Sequence, residues 1–310
     1  MRVRFTPLSG MNPLGRMFAR FAAIFAEKTD ADTSAHPSPR EIRASAQTNP
    51  GKVREANEDA VCFLKPSRAA TLVERGALAL VADGMGGVKG GSVASGIAHR
   101  VIPRAYLRSK ASPPIALKEA LEAANDEIFR RAQNDEKLRG MGTTCVALAV
   151  SPRRAWVAYV GDSRLYLIRN GAIFQMTEDH SLVQEMVNQG DLTPEEARSH
   201  ESRNMVTRIL GTKKQVEVTV WDEPFPVQSG DRFLLCSDGL HDLLTSEEML
   251  ARAGTGKLDA ATSALIAAAN ARGGFDNISA VIVEVAERRR ESSASLNQTR
   301  RLTEEDLRKL

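Results

Sequence analysis

The stretch Leu78-Ala79-Leu80-Val81-Ala82-Asp83-Gly84-Met85-Gly86-Gly87 joins an apolar run to one carboxylate and a glycine-rich turn. The run has the length of a buried strand and is too short for an ordinary helix. Glycines let the main chain approach a ligand closely. The pattern therefore predicts a strand ending at Asp83, with Asp83 and the Gly84 carbonyl as oxygen ligands for a hard metal ion. An ordinary Asp-Gly turn would look the same, so this stretch alone leaves both interpretations open.

Further carboxylates stand beside other predicted strand ends, mostly with a glycine neighbour: Glu58-Asp59, Asp162, Asp238 and Asp276. Each of them alone is typical of a turn or a cap. Together they describe an all-oxygen site suited to two Mg²⁺ or Mn²⁺ ions. Two such ions lower the pKa of a shared water, and the resulting hydroxide suits in-line attack on phosphorus.

A site of this kind also needs a donor for phosphoryl oxygens. Arg54, four residues before Glu58, is the candidate because a guanidinium group matches phosphate oxygens in a bidentate way. Without the acidic cluster, a solvated surface arginine would be the preferred interpretation of Arg54.

Composition narrows the class of protein. The chain has 310 residues, of which 42% are hydrophobic and 26% charged, enough for one large domain or two small ones. Its net charge is +3. The sequence has no basic stripe interleaved with aromatic residues, so a nucleic-acid partner is not predicted. Cys62, Cys145 and Cys236 stand singly, so we expect small buried side chains and a reducing compartment rather than disulfides or a soft-metal site.

The first 40 residues differ from the rest. Leu14, Phe18, Phe21 and Phe25 recur at the spacing of an amphipathic helix, and residues 29–40 have the composition of a linker. Residues 14–28 are predicted to dock on the chain's own domain, on a partner or on a membrane surface. No transmembrane run or signal peptide is apparent, which predicts a cytoplasmic protein, with peripheral attachment if this helix binds a membrane or a complex.

Residues 41–286 have the pattern of one α+β domain. Strands are predicted at 143–150, 154–160, 164–168, 172–176, 216–220, 231–236 and 278–285, and helices from Pro113 and over Leu258–Ala271. Asn170-Gly171 predicts a tight hairpin. Short connections favour antiparallel pairing, so the predicted fold is a sandwich of two antiparallel β-sheets flanked by helices. The polar insert at 179–211 predicts a flap, and residues 287–310 form a charged C-terminal tail.

Short motifs along the chain resemble those of the metal-dependent serine/threonine protein phosphatases of type 2C, the bacterial branch being the closest fit. They occur in that family's order over about residues 43–285: Arg54-Glu55-Ala56-Asn57-Glu58-Asp59-Ala60, Val81-Ala82-Asp83-Gly84-Met85-Gly86-Gly87, Met141-Gly142-Thr143-Thr144, Gly161-Asp162-Ser163-Arg164, Thr177-Glu178-Asp179-His180-Ser181, Leu235-Cys236-Ser237-Asp238-Gly239-Leu240 and Gly274-Phe275-Asp276-Asn277-Ile278.

The resemblance implies a role for each metal-binding position. Asp83 would bridge two ions, and the Gly84 carbonyl would complete the second. Asp238 and Asp276 would hold the first. Asp162, with Asp238, would hold a weaker third ion.

The same resemblance implies roles around the metals. Glu58 and Asp59 would act mainly through metal-bound waters, and Arg54 would bind the substrate phosphate. Val88 stands where bacterial members usually have histidine, so the sequence identifies no general acid. A flap-anchoring hydrogen bond is the preferred interpretation of His180.

The implied activity is hydrolysis of phosphoserine and phosphothreonine on proteins by a metal-bridging water or hydroxide, with Mn²⁺ or Mg²⁺ as cofactor. The expected form is a monomer that opposes a serine/threonine kinase in bacterial signalling. One alternative is a non-catalytic pseudophosphatase that serves as a binding module. Another is a phosphatase with a single regulatory phosphoprotein as its target.

Overall fold

The computed structural model describes residues 40–287, and for residues 87–89 the backbone alone. The predicted N-terminal helix and the predicted tail from residue 288 onward lie outside the described residues. The first strand begins at Arg40 and the last ends at Glu287, each one residue outside the predicted domain 41–286. Within the described part of the chain, no helix has both the length and the apolar character of a membrane span.

The strands of this region, in chain order, are β1 (Arg40–Asn49), β2 (Ala60–Leu64), β3 (Ala77–Ala82), β4 (Gly84–Met85), β5 (Gly142–Thr143), β6 (Cys145–Val150), β7 (Arg154–Val160), β8 (Arg164–Arg169), β9 (Ala172–Gln175), β10 (Thr219–Val220), β11 (Phe225–Pro226), β12 (Arg232–Cys236) and β13 (Ile278–Glu287). One sheet has the order β1-β13-β12-β8-β9 and the other β10-β7-β6-β3-β2, with β11 also paired to β7. The neighbouring strands pair antiparallel. The predicted sandwich is confirmed.

The α-helices of the described residues are α1 (Ala69–Arg75), α2 (Gly87–Arg108), α3 (Pro113–Asn134), α4 (Leu182–Gln189), α5 (Pro194–Ser199), α6 (Asp238–His241), α7 (Ser246–Ala253) and α8 (Leu258–Ala271). Helices α2 and α3 cover the outer face of the sheet that contains β3, and α7 and α8 cover the other sheet.

Strand β3 shows why the apolar run of the opening stretch is unbroken. Leu80 packs against the layer of α2 and α3, whereas Val81 points into the layer between the two sheets. Side chains alternate across a strand, so a strand covered on both faces needs apolar residues at every position. All six residues of β3 are fully buried.

Several predicted elements need correction. The predicted strand 216–220 is reduced to Thr219–Val220, and the predicted strand 143–150 is interrupted at Thr144. Helix α2 was not predicted, because Gly90, Gly91, Gly96 and Pro103 are unfavourable inside a helix. Its buried residues nevertheless recur at helical spacing: Ala94, Ile97, Ala98, Ile102 and Tyr106. The predicted hairpin is present, with positive φ at Asn170 (52°) and Gly171 (75°).

A buried ion pair joins the end of β8 to the turn before β12. Arg169 donates to both carboxylate oxygens of Asp231, from Nε at 2.7 Å and from Nη2 at 2.6 Å. The side chains are only 4% and 1% exposed. Both charges therefore depend on this contact for much of their stabilisation within the fold.

Asp231→Ala is expected to lower the free energy of unfolding by about 3–5 kcal/mol, because it leaves the buried guanidinium without its carboxylate. Urea unfolding followed by circular dichroism measures the change. Glu41→Ala is the control, since Glu41 pairs with Arg43 on the surface, where such pairs contribute about 0–1 kcal/mol. Equal, small losses in both variants would contradict the expectation.

Candidate active site

The register of the first sheet brings three predicted site residues to one end of the sandwich. Cys236, the last residue of β12, pairs with Ala280 near the start of β13 and with Arg164 at the start of β8. The segments just beyond these strand ends carry three of the predicted carboxylates: Asp162, Asp238 and Asp276.

The second sheet contributes the remaining carboxylates at the same end. Ala60 at the start of β2 pairs with Ala82 at the end of β3, so Asp59 and Asp83 are adjacent across the ladder. Burial raises the pKa of Asp83, and the nearby negative charges of Asp238, Asp59 and Asp162 raise it further, as expected where the two groups of carboxylates approach each other. The structure thus brings together residues that lie far apart in the sequence.

The backbone of Asp83 is held by Thr143, the last residue of β5, and by Thr144, which separates β5 from β6. Its carbonyl accepts hydrogen bonds from Thr144 N at 2.9 Å and Thr143 Oγ1 at 2.8 Å, and its amide donates to Thr144 Oγ1 at 3.2 Å. Thr144 Oγ1 also shares a hydrogen bond of 2.7 Å with Ser163 Oγ, next to Asp162. The break at Thr144 therefore couples the loops of Asp83 and Asp162.

Burial and mutual repulsion make this carboxylate cluster unfavourable in its ionised form. Burial is the main cause in each case, and it raises the pKa of Asp83 well above its ordinary value and also raises that of Asp238. The pKa values of Asp59 and Asp162 rise to about 7, with the charge of Asp238 adding to the effect of burial. A cation bound among these groups would remove the penalty.

Asp59 is fixed by two buried serines. Its Oδ2 accepts hydrogen bonds from Ser237 Oγ at 2.8 Å and Ser279 Oγ at 2.6 Å. Its Oδ1 is buried and has no hydrogen-bond partner in the described residues, and the same holds for Asp238 Oδ1. Buried carboxylate oxygens without donors suit a hard cation, so the donor set fits Mg²⁺ or Mn²⁺.

The Gly84 carbonyl lies in a confined position beside Glu58. A Cβ atom built on Gly91 would be 2.6 Å from the carbonyl carbon and oxygen of Gly84 and 2.8 Å from Glu58 Cδ. The carbonyl and the carboxyl group therefore converge on one point of α2. Only a glycine at 91 allows this approach, a role that no feature of the sequence indicated.

Arg54 reaches the cluster through Asp276. Its Nη2 lies 2.7 Å from Asp276 Oδ2, while Asp276 Oδ1 accepts a hydrogen bond from Asn277 N at 2.8 Å. In residues 40–287, no group of three or more His, Cys, Asp or Glu side chains is already arranged around one point.

Residues 54–272, most of the chain, match the family model of protein phosphatase 2C. The chain belongs to the protein phosphatase 2C family. The resemblance found from the motifs is thereby confirmed.

Named members of the protein phosphatase 2C family are similar over most of the chain. The serine/threonine phosphatase stp of Listeria monocytogenes is 36% identical over 251 residues, which cover 78% of this chain and 96% of that protein. PstP of Mycobacterium tuberculosis is 34% identical over 247 residues, covering 79% of this chain and 45% of that protein.

Solved structures of the family agree with the fold. The crystal structure of M. tuberculosis PstP has a TM-score of 0.71 at 34% identity and covers 79% of this chain and 99% of that one. The PstP catalytic domain in complex with two manganese ions has a TM-score of 0.69 at 33% identity, with 80% and 100% covered.

His180 anchors the flap of this protein phosphatase 2C chain. Its Nδ1 accepts a hydrogen bond from Gly161 N at 3.0 Å, its Nε2 lies 2.9 Å from Thr219 Oγ1, and its ring stacks on Tyr159. Burial lowers the pKa of His180 to about 4, so the imidazole is neutral at physiological pH. Both ring nitrogens are engaged, which supports the anchoring interpretation over a general-acid role.

The predicted flap contains α4 and α5. Thr193 and Glu196 form a capping box at the start of α5, and Arg164 pairs with Asp179 at the first residue of the flap. Val88 lies within residues 87–89, of which the structure describes the backbone alone.

Asn277 is a positioning residue that sequence reasoning left without a role. Its side chain accepts a hydrogen bond from Glu58 N at 2.7 Å and donates to the carbonyls of Pro50 and Ala56. It therefore ties the Arg54–Glu58 loop to the start of β13. The role of Asn277 could have been suspected from its place beside Asp276 in one of the family-like motifs. No feature of the sequence pointed to Ser279.

Proposed function

We propose that this chain is a metal-dependent protein phosphatase that hydrolyses phosphoserine and phosphothreonine in proteins. The observation that carries the proposal is the meeting of Asp59, Asp83, Asp162 and Asp238 at one end of the sandwich, where they are partly or fully shielded from solvent and have raised pKa values. This arrangement in a member of a phosphatase family supports an enzyme that uses cations to act on a phosphate ester.

Two Mn²⁺ or Mg²⁺ ions fit the donor set, and we assign their ligands residue by residue. Asp83 would be shared between the ions, and the Gly84 carbonyl would hold the second. Asp238 and Asp276 would hold the first. Asp162 would add a weaker third site with Asp238. When bound, the ions supply a water of lowered pKa and neutralise charge on the phosphoryl oxygens.

The remaining residues bind and orient. Arg54 would donate to the phosphoryl oxygens, with Asp276 holding the guanidinium in place beforehand. The serine-bound carboxylate of Asp59 would orient water through its free Oδ1, and Glu58 would do so beside the Gly84 carbonyl. Because His180 is neutral and fully engaged, we infer that water protonates the leaving alkoxide.

The biological setting is part of the proposal. We infer phosphoproteins as substrates, a cytoplasmic location, a monomeric form and a serine/threonine kinase as the opposing enzyme. Residues 14–28 would provide docking to a partner or membrane. Whether one regulatory phosphoprotein or many are substrates is decided by comparing phosphoproteomes of cells with and without the gene.

The proposal is tested with the purified full chain, a phosphothreonine peptide and a manganese titration. Phosphate release should rise with Mn²⁺ to saturation, stop on addition of EDTA and return when metal is restored. In the absence of peptide, Mn²⁺ should raise the melting temperature, because a ligand that binds only the folded state stabilises it. Metal-induced stabilisation without phosphate release under any metal would instead identify a pseudophosphatase.

A further inference from the structure

Two exposed apolar side chains, Val53 and Phe275, stand at the rim of the candidate active site. Val53 is 62% exposed and precedes Arg54, and Phe275 is 63% exposed and precedes Asp276. Among the large apolar side chains exposed in residues 40–287, Phe275 is the one aromatic. Isolated apolar residues are common on surfaces. These two differ in how they are held.

The loops that carry Val53 and Phe275 are joined on both sides of the pair. Lys52 N donates to Gly274 O at 2.7 Å, and Arg54 Nη2 donates to Asp276 Oδ2 at 2.7 Å. Val53 and Phe275 therefore occupy matching positions between two cross-loop contacts. The two loops are thereby joined beside the proposed phosphate donor Arg54.

The ring of Phe275 is also oriented. A Cβ atom placed on Gly273 would lie 2.3–2.9 Å from three atoms at the tip of this ring, so the ring occupies the space that a side chain at position 273 would take. The side chain of Phe275 nevertheless remains mostly exposed. A fixed, exposed aromatic side chain binds an apolar group at a small entropy cost, since little side-chain motion is lost on binding.

A substrate bound at Arg54 would pass over this pair. Val53 is the direct neighbour of Arg54, and an extended peptide advances about 3.3 Å per residue. Residues within two positions of the phosphorylated residue therefore fall within reach of Val53 and Phe275. Their apolar surface favours a nonpolar side chain, whereas the charges of Lys52 and Arg54 on the same loop would favour an acidic one.

We propose that Val53 and Phe275 form an apolar subsite that binds a nonpolar side chain within two residues of the phosphorylated serine or threonine. The subsite rests on the proposed phosphatase function and adds sequence preference to it. Neither residue contacts the carboxylate cluster as a ligand, so the subsite acts on substrate affinity rather than on the chemical step.

The test measures kcat/KM for phosphothreonine peptides that carry leucine, serine or aspartate at each position from two before to two after the phosphothreonine. The wild-type chain with Mn²⁺ should prefer leucine over serine by about tenfold at one or more of these positions. Phe275→Ala, and more so the double variant Val53→Ala/Phe275→Ala, should remove this preference through a higher KM. Hydrolysis of p-nitrophenyl phosphate, which has no flanking residues, should stay within about twofold of wild type.

Val73→Ala is the matched control, because Val73 is exposed to a similar extent, at 65%. It lies on α1, just before the start of β3, whereas Asp83 follows the end of that strand. It should leave every peptide unchanged. A wild-type preference for aspartate, a leucine preference that survives in the double variant, or loss of p-nitrophenyl phosphate hydrolysis in that variant would each overturn the subsite. Failure of the wild type on all substrates would overturn the proposed function, and the subsite with it.

Discussion

Asp83→Asn is expected to reduce phosphate release from a phosphothreonine peptide by at least about a thousandfold, since loss of metal-borne charge stabilisation costs several kcal/mol in the transition state. Burial raises the pKa of Asp83, and the charges of Asp238, Asp59 and Asp162 add to this effect, so Asp83 lies among the other carboxylates of the cluster. Initial rates at saturating Mn²⁺ measure the effect.

Although it lowers activity, the same substitution should raise the stability of the fold when metal is absent. The pKa of Asp83 is raised in the folded chain, so above its ordinary pKa the charged form destabilises the fold relative to the unfolded chain. A neutral asparagine removes that cost. In EDTA at pH 8, the melting temperature of Asp83→Asn should therefore exceed that of the wild type, and its increase with Mn²⁺ should be smaller.

Asp126→Asn controls for the exchange of carboxylate for amide, because Asp126 is exposed on α3. It should leave activity and both melting temperatures unchanged. An Asp83→Asn variant with more than about one tenth of wild-type activity would contradict the assignment of Asp83 as the shared ligand.

Gly91→Ala should lower activity by about a hundredfold, since displacements of about 1 Å in an active site have effects of this size. The new methyl group would lie 2.6 Å from the Gly84 carbonyl and 2.8 Å from Glu58 Cδ, so one or both must move. Alanine is otherwise favoured over glycine in a helix by about 1 kcal/mol. Any loss of activity therefore comes from the contact and not from the helix.

Gly96→Ala in the same helix isolates the helical effect. The nearest atom to a Cβ at position 96 is Arg100 Nη1 at 3.6 Å, an ordinary contact. This variant should gain about 0.5–1 kcal/mol in the free energy of unfolding and keep full activity. Kinetic assays and urea unfolding of both variants make the comparison, and equal activity in the two would refute the proposed role of the Gly84 carbonyl.

The sequence predicted best those features that depend on local chemistry. The hairpin at Asn170-Gly171 follows from residues that tolerate positive φ, and the strand before Asp83 follows from an unbroken apolar run.

The missed features depend on contacts between distant segments. Gly91 makes helix α2 harder to predict from the local sequence. The absence of a side chain at this position nevertheless allows the Gly84 carbonyl and the Glu58 carboxyl group to approach the helix. The serine pair that holds Asp59 comes from distant positions, since Ser237 follows β12 and Ser279 lies in β13. Such residues come together only through the pairing register of the strands, and local sequence patterns do not reveal that register. Tertiary contacts thus override local propensity at the site.

The pairing of β1 with β13 also determines where the described region begins and ends. Arg40 pairs with Glu287, so its first and last residues lie side by side. At the other end of the same ladder, Asn49 pairs with Ile278, two residues after Asp276. Ten strand residues span about 33 Å. Residues 40 and 287 therefore lie at the far end of this ladder from the segments that carry the carboxylates.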